Sequence, residues 1–225
     1  MQVLYEDNHI IIVAKASGEI VQGDKTGDTP LSETVKAYIK AKYHKPGEVF
    51  LGVVHRLDRP VSGVVIFART SKALSRLGMM FQRGDIHKTY HAIVPSRTDM
   101  LTDDCPHRLT HYLTRREAQN KAYAHDHEVP ESKRAVLDVQ LIGHGERYDL
   151  AAVTLHTGRH HQIRCQLAAI GRPIKGDLKY GAPRSNAGGS ISLHARHIAF
   201  EHPVSHAPIS VTAPYPEDDI WQALV

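Results

Sequence analysis

The pattern of apolar and polar residues along the chain predicts many short strands and few helices. Alternating apolar residues, or short apolar runs bounded by turn residues, predict strands at 3–5, 10–15, 49–54, 63–69, 86–94, 135–142, 148–155, 190–200 and 209–212. Apolar residues at helical spacing predict helices at about 31–43, after Thr70 and at about 160–170, with a short acidic helix at the C-terminus. Short turns join most strands, which favours an α+β fold around a largely antiparallel sheet.

The residues that flank these elements add start signals for two helices. Thr29 is a candidate N-cap for the first helix, with Pro30 at its first position. Thr70 or Ser71 is the candidate cap of the second. No repeat and no long Gly/Ser/Pro-rich linker interrupts the chain. We therefore expect a single domain over residues 1–225.

Composition excludes several classes of protein. The chain has 225 residues, of which 41% are hydrophobic and 23% charged, as in ordinary globular proteins. Its longest apolar runs, at 10–14 and 64–68, are far shorter than the roughly 20 residues of a membrane span, and the N-terminus lacks a signal-peptide pattern. Cys105 and Cys165 are the only cysteines and form no CxxC pair, so we expect a cytoplasmic protein without membrane association.

The charge distribution is uneven. The net charge is only +4, but residues 55–91 carry +5 and residues 156–181 carry +4, while the rest of the chain is net acidic. One interpretation is chance clustering on solvated helix faces. The other is that the two segments fold into one basic cleft that binds a polyanion.

The loop at residues 55–63, in the first basic segment, carries the most informative motif. Asp58 stands between Arg56 and Arg59, with apolar strands predicted on both sides. Nearby opposite charges favour the ionised carboxylate, and catalytic residues are commonly presented on loops at strand ends. On physical grounds alone, an Arg–Asp salt bridge that closes a turn is the favoured interpretation.

Two further stretches are suited to nucleic-acid binding. Around Gly158 a predicted strand, a turn and a helix start follow in order, and Arg159 and Arg164 flank the helix N-terminus, where phosphate groups commonly bind. Lys88 and Tyr90 share one face of a predicted strand. A tyrosine beside basic residues is a stacking platform for a base, although most strand tyrosines simply lie at the edge of a core.

Taken together in their order along the chain, these motifs resemble those of the RluA-type pseudouridine synthase family, which isomerises uridine in RNA. The resemblance extends over nearly the whole chain and rests on VLYEDNHIIIVAK, HRLDRPVSG, KTYHAIV, LHTGRHHQIRCQL, GRPIKGDLKYG and LHARHIAFEHPVSHAPISVTAPYP. It implies a pseudouridine synthase fold, with a mixed, mainly antiparallel sheet flanked by helices and a central RNA-binding cleft. It also implies that the reaction needs no cofactor.

The resemblance also implies roles for individual residues. Asp58 would be the nucleophile that acts on a flipped-out uridine, and Tyr90 would stack on the uracil and assist at C5. Arg164 would pair with Asp58 and hold it in position, and Arg56 would help to displace the base. The residues predicted to bind substrate are His55, Arg56, Lys88 and Arg159.

The sequence departs from the family pattern at three positions near these motifs. Val61 and His160 stand where threonine is usual, and Ala16 stands where proline commonly follows the lysine of the first motif. These changes affect loop geometry and substrate choice more than the predicted catalytic residues. Because the first predicted hairpin begins at residue 3, we expect a stand-alone catalytic domain without an N-terminal RNA-binding domain of the S4 type.

Other functions are weighed against this one. The 17 histidines suggest a metallohydrolase, with ligand-like spacings at His160–His161, His194–His197 and His202–His206, but none is joined to a carboxylate in an HExxH-like pattern. We expect no metal site. A non-catalytic RNA-binding module of the same fold is the second alternative. A DNA-binding protein is disfavoured because no helix carries a continuous basic face.

The motifs do not identify the RNA substrate, because members of the family modify ribosomal RNA, transfer RNA or both. Residues 95–133 are polar and irregular, with short strands predicted near 111–115 and 121–125. RNA is recognised largely by shape and by loop contacts, so we expect this region to contribute to the choice of RNA. A monomer is the default expectation for the oligomeric state.

Overall fold

The computed structural model describes residues 1–97, 101 and 105–225. Within these residues the chain forms eleven strands and four α-helices, and most of the strand pairs are antiparallel. The predicted α+β class with a mainly antiparallel sheet is confirmed. None of the described helices is long and apolar enough to cross a membrane.

The strands and helices follow one another in the order that the sequence patterns predict. The strands are β1 Gln2–Glu6, β2 Ile10–Lys15, β3 Gly52–Val53, β4 Ser62–Ala68, β5 His87–Pro95, β6 His107–Arg116, β7 Lys121–His125, β8 Lys133–His144, β9 Tyr148–Leu155, β10 Leu193–Glu201 and β11 Pro208–Thr212. The helices are α1 Leu31–Lys42, α2 Ser71–Arg83, α3 Gln162–Ala169 and α4 Asp219–Leu224.

The chain divides into two compact units, each built from two separate stretches. The first unit contains Met1–His87 and Ala195–Tyr215, and the second contains Lys88–His194 and Pro216–Val225. The prediction of one domain over the whole chain concerns how these units act together, and it stays a prediction.

In the first unit, β2 pairs with β1 on one side and with β4 on the other, and β10 pairs with β11. Residues 10–13 of β2 are completely buried, as expected of a strand with apolar residues on both faces. Ala73 and Leu77 of α2 lie in the same core cluster as Ile66 of β4. Burial of these apolar side chains positions β2 and β4, and with them the loop that precedes β4.

Gly63, the last residue of the HRLDRPVSG motif, is required by a close approach of backbones. A Cβ atom at this position would lie 2.3 Å from the carbonyl oxygen of Ala195, and the φ angle of Gly63 is +117°. Because both the contact and the conformation exclude a side chain, only glycine fits here. This glycine therefore serves the fold.

In the second unit, β9 pairs with β5 and β8, while β6 pairs with β8 and β7. Leu113, Ala122 and Ala135 point to one face of this sheet, where Cys165 of α3 and Tyr180 complete a core cluster. The predicted hairpin of strands β8 and β9 is confirmed, with Leu141 opposite Ala151.

Two details differ from the sequence predictions, and Thr70, one of the two predicted caps of α2, is confirmed. The strand predicted at 49–54 is limited to the two residues of β3, which pair with Phe67 and Ala68 of β4. The pairing does not extend further because the next N–H of β4, that of Ile66, donates to Nε2 of His55 instead of to the backbone of β3. Thr29 does not cap α1, whose N-cap position is occupied by Pro30 without a side-chain bond. The cap of α2 is Thr70, which accepts from the N–H of Ala73.

The region predicted to be irregular is more ordered than expected. Strand β6 is ten residues long and pairs on both sides. Its polar residues face solvent while Leu109, His111 and Leu113 are buried, so the alternation of a half-buried strand was hidden among many charges. Residues 98–100 and 102–104 lie outside the described residues.

Candidate active site

The loop that carries Asp58 leads directly into β4 of the first unit. Its turn is closed by the N–H of Val61, which donates to the carbonyl oxygen of Asp58 at 3.0 Å. Leu57 is buried and anchors the loop, while Asp58 itself is half-buried and Arg56 is exposed. The loop thus places a carboxylate at a partly accessible position next to a rigid strand.

A buried lysine, Lys15, donates hydrogen bonds to the backbone of this loop. Lys15, the last residue of β2, is only 2% exposed, and its Nζ donates to the carbonyl oxygens of Val61, Ala16 and Arg59 at 2.6, 3.0 and 3.1 Å, with that of Asp58 at 3.3 Å. Burial lowers the pKa of Lys15 to about 8, partly offset by the carboxylates of Glu19 and Asp58. Lys15 therefore fixes the backbone at Asp58 and in the turn that follows it.

The two arginines of the motif do not neutralise Asp58. Arg59 donates to Asp28 at 2.6 Å and to the hydroxyl of Thr26 at 2.7 Å, and it lies 3.6 Å from Asp24. Arg56 has no hydrogen bond or ion pair with any of the described residues. The interpretation of this motif as a simple Arg–Asp salt bridge within the loop is therefore wrong.

His55 has a structural contact in the first unit. Its Nε2 accepts a hydrogen bond from the N–H of Ile66 at 2.9 Å, and its ring stacks on Phe81 with 4.8 Å between centroids. These contacts hold the start of the loop against β4 and α2. Its predicted role in substrate binding stays a prediction.

In the second unit, Arg164 on α3 is held by a buried carboxylate. Its Nε and Nη2 donate to the two oxygens of Asp177 at 2.6 and 2.9 Å, and the side chains of both residues are at least nine-tenths buried. Such a two-pronged pair sets the plane of the guanidinium as well as its charge. The predicted pairing of Arg164 with Asp58 stays a prediction.

His161 and Tyr180 complete the surroundings of Arg164. Nη1 of Arg164 lies 3.1 Å from Nε2 of His161, and since arginine only donates, this nitrogen must accept. The proton of neutral His161 then lies on Nδ1 and is donated to Oη of Tyr180 at 2.9 Å, an oxygen that also accepts from the N–H of Ala122 at 2.9 Å. Burial raises the pKa of Tyr180, so its hydroxyl stays protonated.

The turn before α3 is organised by Gln162, which sequence analysis did not single out. Its Oε1 accepts from the N–H of Arg159 at 2.9 Å and from the hydroxyl of Thr157 at 2.8 Å, and its Nε2 donates to the carbonyl oxygen of Val136. The helix begins at Gln162 rather than near residue 160. The backbone N–H of Arg159 therefore donates to a side chain of the protein. The phosphate site predicted from the sequence relied on backbone N–H groups of this turn as donors to the phosphate.

Lys88 and Tyr90 lie on β5 as predicted, and both are half-buried. Burial lowers the pKa of Lys88. Its Nζ lies close to the turn before α3, as the distance of 3.8 Å between this nitrogen and a Cβ atom built on Gly158 indicates. Tyr90 pairs with Val153 of β9. The structure thus brings Lys88 next to the turn that carries Arg159, 71 positions further along the chain.

The histidines are distributed among separate contacts. The rings of His160 and His161 stack with 3.8 Å between centroids, and His202 lies 2.8 Å from Asp7. His197 bonds to Ser210 at 2.8 Å. In the part of the chain that the structure describes, no three His, Cys, Asp or Glu side chains are grouped so that they could hold a metal ion.

Comparison with known proteins identifies the family. The family model described as RNA pseudouridylate synthase matches residues 9–169, which include Asp58, Tyr90 and Arg164. The chain belongs to the RNA pseudouridylate synthase family. Enzymes of this family are isomerases that convert uridine in RNA to pseudouridine.

Individual relatives in the family agree with this assignment. The chain is 32% identical to tRNA pseudouridine synthase C of Yersinia pestis, over 100% of this chain and 90% of that protein. It is 31% identical to ribosomal large subunit pseudouridine synthase D of Xanthomonas campestris pv. campestris, over 97% of this chain and 67% of that protein. The fold matches human RNA pseudouridylate synthase domain containing 4, with a TM-score of 0.77 at 20% identity, over 96% and 89% of the chains.

Two buried charged residues, Lys15 and Asp177, could not be singled out by the motifs, although the sequence around each contains a feature that indicates burial. Lys15 follows seven uncharged, mostly apolar residues, and it ends a strand with no polar face. Asp177 is the only acidic residue in the basic segment 156–181. A lone opposite charge among like charges, or at the end of an apolar strand, is often paired and buried.

Proposed function

We propose that the protein isomerises specific uridines in transfer RNA, in ribosomal RNA or in both, with Asp58 as the nucleophile on a flipped-out uridine. The proposal is supported most by the family match over residues 9–169, which contain Asp58, Tyr90 and Arg164. The relatives named for transfer RNA and for the large ribosomal subunit support these two classes of substrate. The proposal includes a single catalytic domain over residues 1–225.

The reaction breaks the N1–C1′ bond of uridine, rotates the uracil and joins its C5 to C1′. The proton on C5 is lost, and N1 gains a proton, so no atom or electron is exchanged with a cofactor. A carboxylate such as Asp58 can form a covalent bond to the sugar or to the ring, or stabilise positive charge at C1′. The anchoring of its loop by Lys15 supports this role, since a nucleophile must be held in position.

The other residues would assist the same reaction. Tyr90 would stack on the uracil and assist at C5, and Arg164, oriented by Asp177, would hold the Asp58 carboxylate. Arg56 would help to flip the base, a step that costs a few kcal/mol, and its exposure and lack of partners among the described residues support that role. Lys88, Arg159 and His55 would contact the RNA.

We further propose that the enzyme acts as a monomer in the cytoplasm and does not associate with membranes. Two observations support this part of the proposal. The two cysteines are unpaired, Cys165 buried and Cys105 exposed, which suits a reducing compartment, and RNA is the substrate of the family.

The experiment that tests the nucleophile is tritium release from RNA that contains 5-tritiated uridine. Wild-type protein should release tritium from transfer RNA, from ribosomal RNA or from both. Asp58→Asn should fold, bind RNA and release none. Asp85→Asn, which changes an exposed carboxylate in the same basic segment, is the matched control and should react like wild type.

The outcomes separate the possible functions. Turnover by Asp58→Asn at the wild-type rate would refute the assignment of the nucleophile. Absence of release from both RNA pools, with RNA binding retained, would refute the enzyme proposal and favour a non-catalytic RNA-binding module.

A further inference from the structure

The second unit contains an open cavity of about 260 Å³ at one end of its sheet. It is bounded by β6, β7, the start of β8 and the turn before α3, and its polar lining consists mainly of Arg115, Glu131, Lys133, Arg159 and His160. This volume is close to the lower limit of ordinary ligand pockets. The cavity can therefore enclose a group of the size of one phosphate with part of its sugar.

The register of the strands explains why cations line this cavity. Leu113 of β6 lies opposite Lys133 of β8, and Arg115 of β6 lies opposite Ala122 of β7. Paired residues and residues two apart share a face of the sheet, so Arg115 and Lys133 extend the same face as the core residues Leu113 and Ala122. The apolar face ends where the cavity begins.

The charges of the lining leave a positive excess. Three cations stand against one carboxylate, Glu131. Lys133 is exposed and has no hydrogen bond or ion pair with the described residues. Arg115 is 3.8 Å from Glu117, both largely exposed, and Nε of Arg159 donates to the carbonyl oxygen of Arg134. Within the described residues only Arg115 of the three has a carboxylate within 4 Å, and this exposed ion pair neutralises its charge weakly.

From these observations we infer that the cavity between Arg115, Lys133 and Arg159 binds a phosphate of the RNA backbone. This inference rests on the proposed function, which supplies RNA as the polyanion. Arginine and lysine are the side chains that most often contact backbone phosphates, and such contacts position the RNA without reading its sequence. The site lies beside Lys88 and the turn before α3, so a phosphate held there contributes to placing the RNA strand.

The test measures the affinity for an unmodified transfer RNA transcript as a function of salt concentration. Lys133→Ala and Arg115→Ala should each weaken binding about two- to fivefold, as expected for an exposed charge pair. Each should also lower the slope of log K against log salt by about 0.7–0.9, because one phosphate contact is lost. Both side chains are exposed, and thermal unfolding checks that each variant is folded.

Two further variants make the test specific to the cavity. Glu131→Gln removes the only carboxylate of the lining and should strengthen binding about twofold. Arg147→Ala is the matched control: Arg147 is exposed and lies beyond the far end of β8, about 36 Å from Lys133 along the strand. Unchanged affinity and slope in both cation variants, or an equal loss in Arg147→Ala, would overturn the inference.

A competition experiment identifies the source of the phosphate group. At constant ionic strength, replacing chloride with inorganic phosphate should weaken transfer RNA binding to wild type more than to Lys133→Ala. Binding of inorganic phosphate that depends on Lys133 but leaves RNA affinity unchanged would refute the RNA assignment.

The failure of this inference can be told apart from failure of the proposed function. If wild type releases tritium but the cation variants bind like wild type, only the phosphate site is refuted. If the cation variants lose affinity as expected but wild type releases no tritium, only the isomerase proposal is refuted.

Discussion

The loop of Asp58 and the helix of Arg164 are stabilised in opposite ways. In the first unit, the ammonium of Lys15 donates to backbone carbonyl oxygens around Asp58, so the support acts on the path of the chain. In the second unit, the carboxylate of Asp177 and the ring of His161 bond directly to the guanidinium of Arg164, so the support acts on the side chain.

The two kinds of support fix the position of each charged group in different ways. A short aspartate side chain has few rotatable bonds, so fixing its backbone largely fixes its carboxylate. An arginine has a long side chain whose entropy must be overcome, and a two-pronged carboxylate fixes its planar end. We therefore expect changes near Arg164 to affect a buried charge, and changes near Asp58 to affect loop geometry.

The largest effect is expected from Asp177→Asn. This change leaves Arg164 buried without its counter-charge, which should lower the free energy of unfolding by about 3–5 kcal/mol and reduce turnover. Urea unfolding measures the first effect and tritium release the second. Asp138→Asn is the matched control, because Asp138 makes the same two-pronged bond to Arg108, which is 61% exposed, and it should cost less than about 1 kcal/mol. Equal costs in the two variants would contradict the role of burial.

The second largest effect is expected from Lys15→Met. The variant leaves carbonyl oxygens of the Asp58 loop without a donor, which should cost about 2–4 kcal/mol, and it should lower kcat because Asp58 is held less firmly. Lys36→Met, at a partly exposed position on α1, should change stability by less than about 0.5 kcal/mol. If Lys15→Met lowered stability and left kcat unchanged, Lys15 would support the fold alone.

A smaller effect is expected from Tyr180→Phe. Loss of the hydroxyl leaves the N–H of Ala122 and Nδ1 of His161 without their acceptor, at a cost of about 2 kcal/mol. A fall in kcat with little change in KM would show that His161 transmits the change to Arg164. Tyr123→Phe removes a hydroxyl whose only hydrogen bond within the described residues is to Gln119, and it should be close to neutral. If Tyr180→Phe had the same kcat as wild type, Tyr180 would have no part in positioning Arg164.

The most gradual effect, and the smallest between neighbouring pH values, is the pH dependence that Lys15 contributes. Because its pKa in the folded protein is about 8 and the ordinary value is 10.5, the unfolded chain binds this proton more tightly than the folded chain between these values. The free energy of unfolding should therefore rise with pH in this window, by at most about 1.4 kcal/mol per pH unit. The measurement is the difference between wild type and Lys15→Met over this range. A difference that falls as pH rises would contradict the lowered pKa.

Much of the fold could be predicted from the sequence. Strand β2 is an apolar run bounded by turn residues, and the hairpin of β8 and β9 alternates clearly, so local patterns were sufficient there. Strand β6 was harder, because Arg108 and Arg116 lie on its exposed face and His111 interrupts its apolar face. The short length of β3 could not be predicted, since the strand ends where Nε2 of His55 accepts the hydrogen bond from the N–H of Ile66.

The candidate site could be predicted only in part. The motifs singled out Asp58 and Arg164, but not the residues that hold them. Lys15 lies 43 positions before Asp58, and Asp177 lies 13 positions after Arg164. No periodicity or spacing relates such pairs, because they meet only after distant strands and turns have packed.

The fold class, the family and the candidate catalytic residues could be read from the amino-acid sequence alone. Hydrophobic periodicity is local, and the family motifs are contiguous, so both can be read along the chain. How these residues are held became visible only in the folded structure. It revealed that Arg59 binds Asp24 and Asp28 rather than Asp58, that Lys15 supports the Asp58 loop, and that Arg115 and Lys133 line one cavity. The physical reason is that burial and pairing of charges depend on which side chains converge when the chain is folded.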